Sequence, residues 1–299
     1  MERSATLVVF GGGGQLGRAL TAQPLPAGWK ARVLKRFEAD VANAAQVEAA
    51  LAGIEDALVV NASAYTAVDR AETESDVAYA VNRDGPGHVA QAAGRRGLPV
   101  IHISTDFVFD GSKTNAYAET DPVSPVSVYG ASKLAGEITT AEANPRHVIL
   151  RTAWVFSGHA GCFPRTIFRL LRERDEVAVV DDQFGCPTSA EQLAAIIMTM
   201  APGLRDAPEG DPRFGMFHLA GQPALSRYDF ARAVEAEMRR QDRKCGRVVP
   251  RKTDPAAPGA RRPANSALDC TLFTARFALA PPDWRDILPA CVRAYGEEP

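Results

Sequence analysis

The sequence predicts an α/β protein built on a doubly wound parallel sheet, with a smaller C-terminal α/β lobe. Short apolar runs bounded by turn residues alternate with amphipathic helical patterns, which is the arrangement of βαβ units. The runs expected as strands are residues 6–10, 32–34, 57–61, 100–103 and 148–150. The helical patterns between them cover residues 15–21, 44–51, 76–96 and 129–142, with alanine-rich faces that can lie on a sheet.

After residue 151 the alternation is less regular. There we expect a helix at residues 163–174, a strand at 177–180, a helix at 190–200 and a strand at 215–219. Residues 201–213 are rich in Pro, Gly and charge, which predicts an exposed loop. At 299 residues the chain is long enough for one large domain with an appended lobe.

Composition excludes several classes of partner. With 23% charged residues and a formal net charge of −2, the chain has no overall field that would attract nucleic acid or an anionic membrane. Its five cysteines form no C-x-x-C pair, as expected of free thiols in a reduced cytoplasmic protein. No segment has the apolar core of a signal peptide or the apolar length of a membrane span. We therefore expect a cytoplasmic enzyme without a nucleic-acid or membrane partner.

A glycine-rich loop follows the first predicted strand, in the run from Gly11 through Gly14 to Gly17. The run satisfies both GxxGxxG and GxGxxG. Glycines allow positive φ and a close backbone approach, and the N-terminus of the next helix attracts phosphate. At the first strand-to-helix turn of a βαβ series this predicts dinucleotide binding, and the alternative is merely a tight turn.

The end of the second strand bears on the choice of cofactor. It carries Lys35 and Arg36, and no acid occurs before Glu38 and Asp40. An acid at this place binds the ribose 2′-hydroxyl of NAD, whereas a base accommodates the 2′-phosphate of NADP. The sequence predicts a preference for NADPH with NADH possible; the alternative is that both cations are merely solvated.

Three polar residues form a candidate catalytic set. Tyr129 and Lys133 share one face of a predicted helix, and Thr105 ends the fourth predicted strand, at the sheet edge where ligands of such folds bind. A phenol can protonate a carbonyl oxygen, and an ammonium beside it is expected to lower its pKa. Alone, Tyr-x-x-x-Lys could be an ordinary amphipathic pair and Thr105 a helix cap. The order of glycine loop, hydroxyl and Tyr-x-x-x-Lys favours the catalytic interpretation.

These motifs resemble the dTDP-4-dehydrorhamnose reductases, a branch of the extended short-chain dehydrogenase family with a Rossmann fold. The matching segments are residues 10–17, 61–69, 104–106, 128–137, 151–155, 182–185, 187–188, 262–266 and 282–284. The resemblance implies a dinucleotide-binding domain at residues 1–155, with about 185–202 returning to it. It implies a sugar-nucleotide-binding lobe at residues 156–184 and 203–299.

The resemblance also implies roles for single residues. Tyr129 would be the proton donor, Lys133 its modulator and a ribose ligand, and Thr105 a hydroxyl that tunes the tyrosine and touches the sugar. The residues implied to contact the cofactor are Gly14, Gln15 and Leu16 at the pyrophosphate, Asp40 and Val41 near the adenine, and Ala64, Tyr65 and Thr66 along its length. The residues expected at the sugar nucleotide are Thr105, Asp106, Tyr129, Trp154, Arg262 and Asn265.

The reaction implied is reduction of the C4 keto group of a dTDP-linked 4-keto-6-deoxysugar, giving dTDP-L-rhamnose. Other members of the family hold Mg²⁺ through glutamates, but Ala19 replaces the one in the first helix and only Glu191 matches. We therefore expect no metal, and a monomer or homodimer. The alternatives are a reductase, epimerase or dehydratase for another 4-keto sugar nucleotide, and a non-catalytic regulatory subunit of the same fold.

Overall fold

The computed structural model describes residues 5–159 and 161–297. The strands are β1 (Ala5–Phe10), β2 (Trp29–Leu34), β3 (Ala57–Asn61), β4 (Val100–Thr105), β5 (His147–Thr152), β6 (Val155–Phe156), β7 (Glu176–Val180), β8 (Phe184–Gly185), β9 (Thr188–Ser189), β10 (Gly215–His218), β11 (Leu225–Ser226) and β12 (Arg247–Arg251). The α-helices are α1 (Gln15–Ala22), α2 (Ala44–Leu51), α3 (Val68–Ala71), α4 (Ser75–Tyr79), α5 (Gly85–Gly94), α6 (Val128–Ala143), α7 (Phe163–Glu173), α8 (Ala190–Asp206), α9 (Arg227–Arg240), α10 (Thr271–Phe277) and α11 (Trp284–Glu297).

Six strands form one parallel sheet in the order β2-β1-β3-β4-β5-β10. The chain leaves β1 on one side to form β2 and returns on the other side to form β3. The loops after β1 and β3 therefore diverge and leave a crevice at the carboxyl edge, where ligands of such sheets bind. The predicted doubly wound α/β fold is confirmed, and all five early predicted strands lie in this sheet.

Both faces of the sheet are covered by helices. On one face, α1 and α8 pack against β1 and β3 through residues such as Leu20 and Ile197. On the other face, α2 and α5 contribute Val47 and Val89 to a second cluster. Every residue of β1 is buried as a result. A near-continuous apolar strand of this kind is what a parallel sheet with two covered faces requires.

A smaller lobe follows in the C-terminal half. Helices α7, α9 and α11 pack with β7 and β12, which pair in parallel, around an apolar cluster that includes Phe168, Phe230 and Val292. The predicted helix near 163–174 and strand near 177–180 correspond to α7 and β7. Helices α9, α10 and α11 and strand β12 were not predicted. Among the described residues, no helix has the length and apolar character needed to cross a membrane.

Three details differ from expectation. The helix expected at residues 76–96 is divided into α4 and α5 by a π-helical segment, Ala80–Asp84. The loop expected at residues 201–213 begins as helix, because Ala201 and Leu204 are buried in the core and extend α8 to Asp206. Strand β10, assigned to the smaller lobe, instead pairs with β5 at the edge of the large sheet, where Phe217 packs into the core.

A buried ion pair joins α6 to the sheet. The carboxylate of Glu137 accepts from the guanidinium of Arg151 at 2.9 and 2.7 Å, and the Ser104 hydroxyl donates to it at 2.5 Å. Arg151 lies on β5 and Ser104 on β4, and both side chains of the ion pair are at most 3% exposed. A charge left alone at this depth would be strongly destabilising.

We predict that Glu137→Gln lowers the free energy of unfolding by about 3–5 kcal/mol, because Arg151 then stays buried without a counter-charge. Chemical denaturation measures this value. Glu176→Gln, which breaks the exposed pair with Arg247, is the control and should change stability little. The double variant Glu137→Leu/Arg151→Met should recover part of the loss; equal losses for Glu137→Gln and Glu176→Gln would show that the buried pair has no special role.

Candidate functional site

The glycine loop lies at the crevice between β1 and β3. Gly11 has φ +89°, and a Cβ there would come 2.7 Å from the backbone of Ala62 in the loop after β3. A Cβ on Gly17 would lie 2.3 Å from the Gly11 carbonyl, so only glycine lets α1 begin so close to the strand. Gly14 precedes α1 without a side-chain cap, which leaves the first N–H groups of the helix available to a ligand.

A cavity of about 850 Å³ extends from this loop across the carboxyl edge of the sheet to the smaller lobe. Its size fits a large cofactor or substrate. The predicted residues in its wall are Gly14, Gln15, Leu16, Ala64, Thr66, Thr105, Asp106, Tyr129, Lys133, Trp154 and Arg262. The structure thus brings the glycine loop, the hydroxyl strand end and the Tyr-x-x-x-Lys helix to one cavity.

Tyr129 is held at the cavity by the start of α6. The Ser127 hydroxyl caps this helix by accepting from the Gly130 amide at 3.2 Å. Gly130 packs on the loop after β4, since a Cβ there would come 2.2 Å from the Phe107 carbonyl oxygen. Burial raises the pKa of Tyr129 to about 12, although the Thr105 hydroxyl acts in the opposite direction. The Asp106 carboxylate raises it too. The expected lowering by Lys133 is not found, and the phenol keeps its proton at neutral pH.

Lys133 lies one helical turn further along α6 and is fully buried. Its ammonium donates to the carbonyl of Ile103 at 2.6 Å and lies 3.4 Å from Nε2 of His102. Burial lowers the pKa of Lys133 to about 8, and Glu137 partly opposes this. Burial and the nearby Lys133 also hold the pKa of His102 well below its usual value, so its ring is neutral and can accept from the ammonium. His102, which is buried in the core, thus contacts Lys133.

The π-helical segment connects the loop after β3 to helix α6 through Asn82. The Asn82 amide exchanges hydrogen bonds with the backbone of Tyr65 at 2.8 and 3.1 Å and donates to the Ser132 hydroxyl at 3.0 Å. Ser132 in turn donates to the carbonyl of Tyr129 at 2.8 Å. A Cβ on Gly136 would lie 2.0 Å from the Asn82 carbonyl oxygen, so the segments touch at backbone distance.

Trp154 forms a wall of the cavity in the left-handed backbone region, at φ +46°. One side of its indole rests on Gly185, where a Cβ would come 2.4 Å from the ring. The guanidinium carbon of Arg227 lies 3.6 Å from the indole centroid and 4.8 Å from that of Phe163. The indole is thus fixed between backbone and a cation.

Asp106 is buried beside the Thr105 hydroxyl. Thr105 donates to its Oδ1 at 3.0 Å, whereas Oδ2 has no hydrogen-bond partner among the described residues. Burial raises the pKa of Asp106 to about 6, against the lowering effects of Ser266, Thr105 and Arg227. The Ser266 hydroxyl is directed to the Phe184 carbonyl at 3.3 Å. One carboxylate oxygen is therefore available to a ligand donor.

The cavity favours anions. Its described lining carries five cationic side chains and one carboxylate, that of Asp106; the cations are Arg18, Lys133, Arg165, Arg227 and Arg262. Arg262 is partly neutralised by an ion pair with Asp69 at 2.9 Å. Arginine forks suit phosphate oxygens, so this charge pattern fits ligands that carry diphosphate groups.

Several predicted cofactor residues lie outside the cavity wall. Lys35 and Arg36 are exposed just after β2, next to the glycine loop, because the Leu34 carbonyl accepts from the amides of Gly11 and Gly12. Arg36 forms an ion pair with Asp40 at 3.1 Å.

The remaining predicted residues have other contacts. Val41 is buried in the core, and the Tyr65 hydroxyl donates to Glu74 at 2.5 Å. Asn265 donates to the carbonyls of Lys113 and Asn115 at 2.8 and 2.9 Å, so its amide joins its own loop to the loop at residues 113–115. Asn265 is not among the residues that line the cavity. Glu191 accepts from Gly158 at 3.3 Å and Ser189 at 2.7 Å; among the described residues no acidic, His or Cys cluster could hold a metal ion.

Sequence reasoning missed Arg227, and also Arg18 and Arg165. A signal for Arg227 was present, because Ser226 and Asp229 form a capping pair in which the Ser226 hydroxyl accepts from the Asp229 amide at 3.0 Å. This pair would have predicted the start of α9 and placed Arg227 in its first turn.

Comparison with known proteins agrees with this geometry. A family model described as the RmlD substrate binding domain matches residues 5–297. The dTDP-4-dehydrorhamnose reductase of Sinorhizobium fredii (strain NBRC 101917 / NGR234) is 42% identical over 283 residues, 94% of each chain. That of Escherichia coli (strain K12) is 37% identical over 93% of this chain and 94% of the relative.

A solved structure matches equally fully. The dTDP-4-dehydrorhamnose reductase of Bacillus anthracis str. Ames, in complex with NADP, superposes with a TM-score of 0.86 at 30% identity, covering 98% of this chain and 99% of that one. The family match therefore includes the segments that form the sheet and line the cavity. The chain belongs to the RmlD family, the family of the dTDP-4-dehydrorhamnose reductases.

Proposed function

We propose that this protein is an NADPH-dependent oxidoreductase that reduces the C4 keto group of dTDP-4-dehydro-6-deoxy-L-mannose to give dTDP-L-rhamnose. One observation carries the proposal. Tyr129, Thr105 and Lys133 meet in a single cavity with the glycine loop, in a chain that matches reductases of this reaction over nearly its whole length.

The residues present fit a nicotinamide dinucleotide. A Cβ on Gly13 would meet nothing within 4 Å, so the loop has room for a pyrophosphate against its backbone. Oε1 of Gln15 is buried and has no hydrogen-bond partner in the described part of the chain, a need that a ligand can satisfy. Gly14, Gln15 and Leu16 would hold the pyrophosphate, and Ala64 and Thr66 would line the path toward Tyr129.

When bound, a nicotinamide dinucleotide would supply hydride-transfer chemistry for the reduction of the ketone. The chain's own residues supply the proton: the Tyr129 hydroxyl, kept protonated by burial, gives it to the ketone oxygen as negative charge develops there. The Thr105 hydroxyl, which donates to Asp106 without substrate, would turn its one hydrogen to that oxygen. Lys133, charged below its pKa of about 8, stabilises the phenolate that remains. Trp154 presents a flat apolar wall for the sugar ring.

The setting and partners are part of the proposal. All five cysteines are free thiols, which favours a reducing compartment and hence the cytoplasm. The partner is the dTDP-linked 4-keto-6-deoxysugar. Whether the enzyme is a monomer or a homodimer stays a prediction.

Oxidation of NADPH on addition of dTDP-4-dehydrorhamnose, with product identification by NMR, tests the function. Other 4-keto sugar nucleotides in the same panel distinguish related reductases, and an epimerase would interconvert substrates without net oxidation of NADPH. NADPH oxidation at the same rate with every sugar nucleotide in the panel would contradict the proposal.

We predict that Tyr129→Phe lowers kcat by at least a hundredfold, because no other hydroxyl replaces the acid. Steady-state turnover measures the loss. Tyr79→Phe, in α4 and outside the cavity wall, is the control and should keep normal turnover. Near-normal activity of Tyr129→Phe would remove the phenol from the mechanism.

We predict that kcat/KM for reduction falls as pH rises through about 8. Burial lowers the pKa of Lys133, so the charged form is present below that pH and is lost above it. Tyr129 does not cause this decrease, since its pKa is about 12. In Lys133→Arg, whose cation does not titrate here, residual activity should not decline near pH 8; an unchanged decline would assign it to another group.

We predict that Lys35→Ala/Arg36→Ala lowers kcat/KM for NADPH about tenfold or more relative to NADH, because both cations stand where the adenosine 2′-phosphate is expected. Paired kinetics with the two cofactors measure the ratio. Arg32→Ala is the control, because Arg32 is an exposed cation on β2, the strand that Lys35 and Arg36 follow. Equal losses for NADPH and NADH would show that Lys35 and Arg36 do not read the phosphate.

A further inference from the structure

Arg227 is a cation at the cavity whose guanidinium N–H groups have no hydrogen-bond partner among the described residues. Among the described residues its guanidinium forms no hydrogen bond and no ion pair within 4.0 Å, and its fixed contacts are the rings of Trp154 and Phe163. Stacking leaves the donors at the edge of a guanidinium free. Its N–H groups therefore have unused hydrogen-bonding capacity in the wall of the cavity.

Asp106 has the complementary deficit in the same cavity. It is 2% exposed, and no described residue donates a hydrogen bond to its Oδ2. Asp106 and Arg227 attract each other electrostatically but do not meet within ion-pair distance. A hydroxyl between them could donate to the carboxylate and accept from the guanidinium. A phosphate could satisfy Arg227 alone, because the carboxylate would repel it.

We propose that Arg227 is a substrate-binding residue whose guanidinium, held flat on Trp154, binds together with Asp106 one hydroxyl group of the hexose. This inference rests on the proposed function and extends it. Asp106 accepts a hydrogen bond from Thr105, so the hydroxyl in question lies close to the reacting carbonyl. The pair thus recognises the sugar and leaves the diphosphate to other cations.

The experiment compares binding of dTDP-L-rhamnose and of dTDP to the wild type and to Arg227→Met by calorimetry. We expect affinity for dTDP-L-rhamnose to fall about ten- to hundredfold, as for loss of a charge-assisted hydrogen bond, while affinity for dTDP and the KM for NADPH stay nearly constant. Arg232→Met, an exposed arginine on the same helix, is the matched control and should change neither ligand.

A double-mutant cycle checks that both residues bind one group. Asp106→Asn and Arg227→Met should each weaken binding of dTDP-L-rhamnose, and the double variant should lose less than the sum. If Arg227→Met does not fold, Arg227→Lys keeps the charge and removes the planar fork, and should give a smaller loss of the same ligand preference.

A pH profile separates a binding role from a structural one. The charged or titratable groups that face Asp106 are Tyr129, Cys186 and Arg227. The pKa of Asp106 is about 6, and Arg227 acts to lower it. The ionised carboxylate, which accepts the hydrogen bond from the sugar hydroxyl, is therefore lost as pH falls through that value. In Arg227→Met, sugar binding should be lost at a higher pH than in the wild type. An effect on folding alone would leave the pH of this loss unchanged.

The outcomes are distinct. Equal weakening of dTDP and dTDP-L-rhamnose in Arg227→Met would assign the guanidinium to the diphosphate and overturn the inference, as would unchanged binding of both. A wild-type protein that binds neither ligand and oxidises no NADPH would instead overturn the proposed function itself.

Discussion

The buried ion pair between Glu137 and Arg151 is the constraint on which the site depends. Tyr129, Lys133 and Glu137 follow one another at helical spacing along one face of α6, so whatever fixes Glu137 also fixes the acid and its ammonium. Arg151 and Ser104 fix it to two adjacent strands of the sheet. The carbonyl that holds Lys133 and the hydroxyl of Thr105 lie on the residues to either side of Ser104. Helix and strand are thereby set in one register.

Burial is the main electrostatic influence in this site. It favours the neutral form of each group, and the pKa values of Tyr129, Lys133 and Asp106 all move in that direction. For a reductase this is useful, because the phenol must carry a proton when the ketone arrives. The same low dielectric strengthens each hydrogen bond that the site makes with developing charge.

The large sheet could be predicted from the sequence, and so could the meeting of the glycine loop, Tyr129 and Lys133 at one cavity, because local signals carry both. Short apolar runs that alternate with helical patterns predict the strands. A glycine run together with Tyr129 and Lys133 predicts the site. The smaller lobe was less predictable, since its strands β8, β9 and β11 have two residues each and depend on tertiary pairing. The sequence signal at Ser226 and Asp229 predicts the start of α9 but not the place of Arg227 at the cavity. That place depends on stacking on Trp154, which is far away in sequence. The pKa of Tyr129 was mispredicted because neighbours are visible in a sequence pattern and depth of burial is not.

The π-helical segment Ala80–Asp84 has a consequence for how such chains can change during evolution. A π turn takes up one more residue than an α turn, so it corresponds to a single inserted position inside an otherwise regular helix. Deleting one residue there would restore α geometry and leave α5 in nearly the same register relative to α4. It would, however, close the wide turn from which the Asn82 amide contacts Ser132 and Tyr65. Insertions and deletions should therefore be rarer in these five residues than in the surface loops nearby, although no residue of the segment lines the cavity.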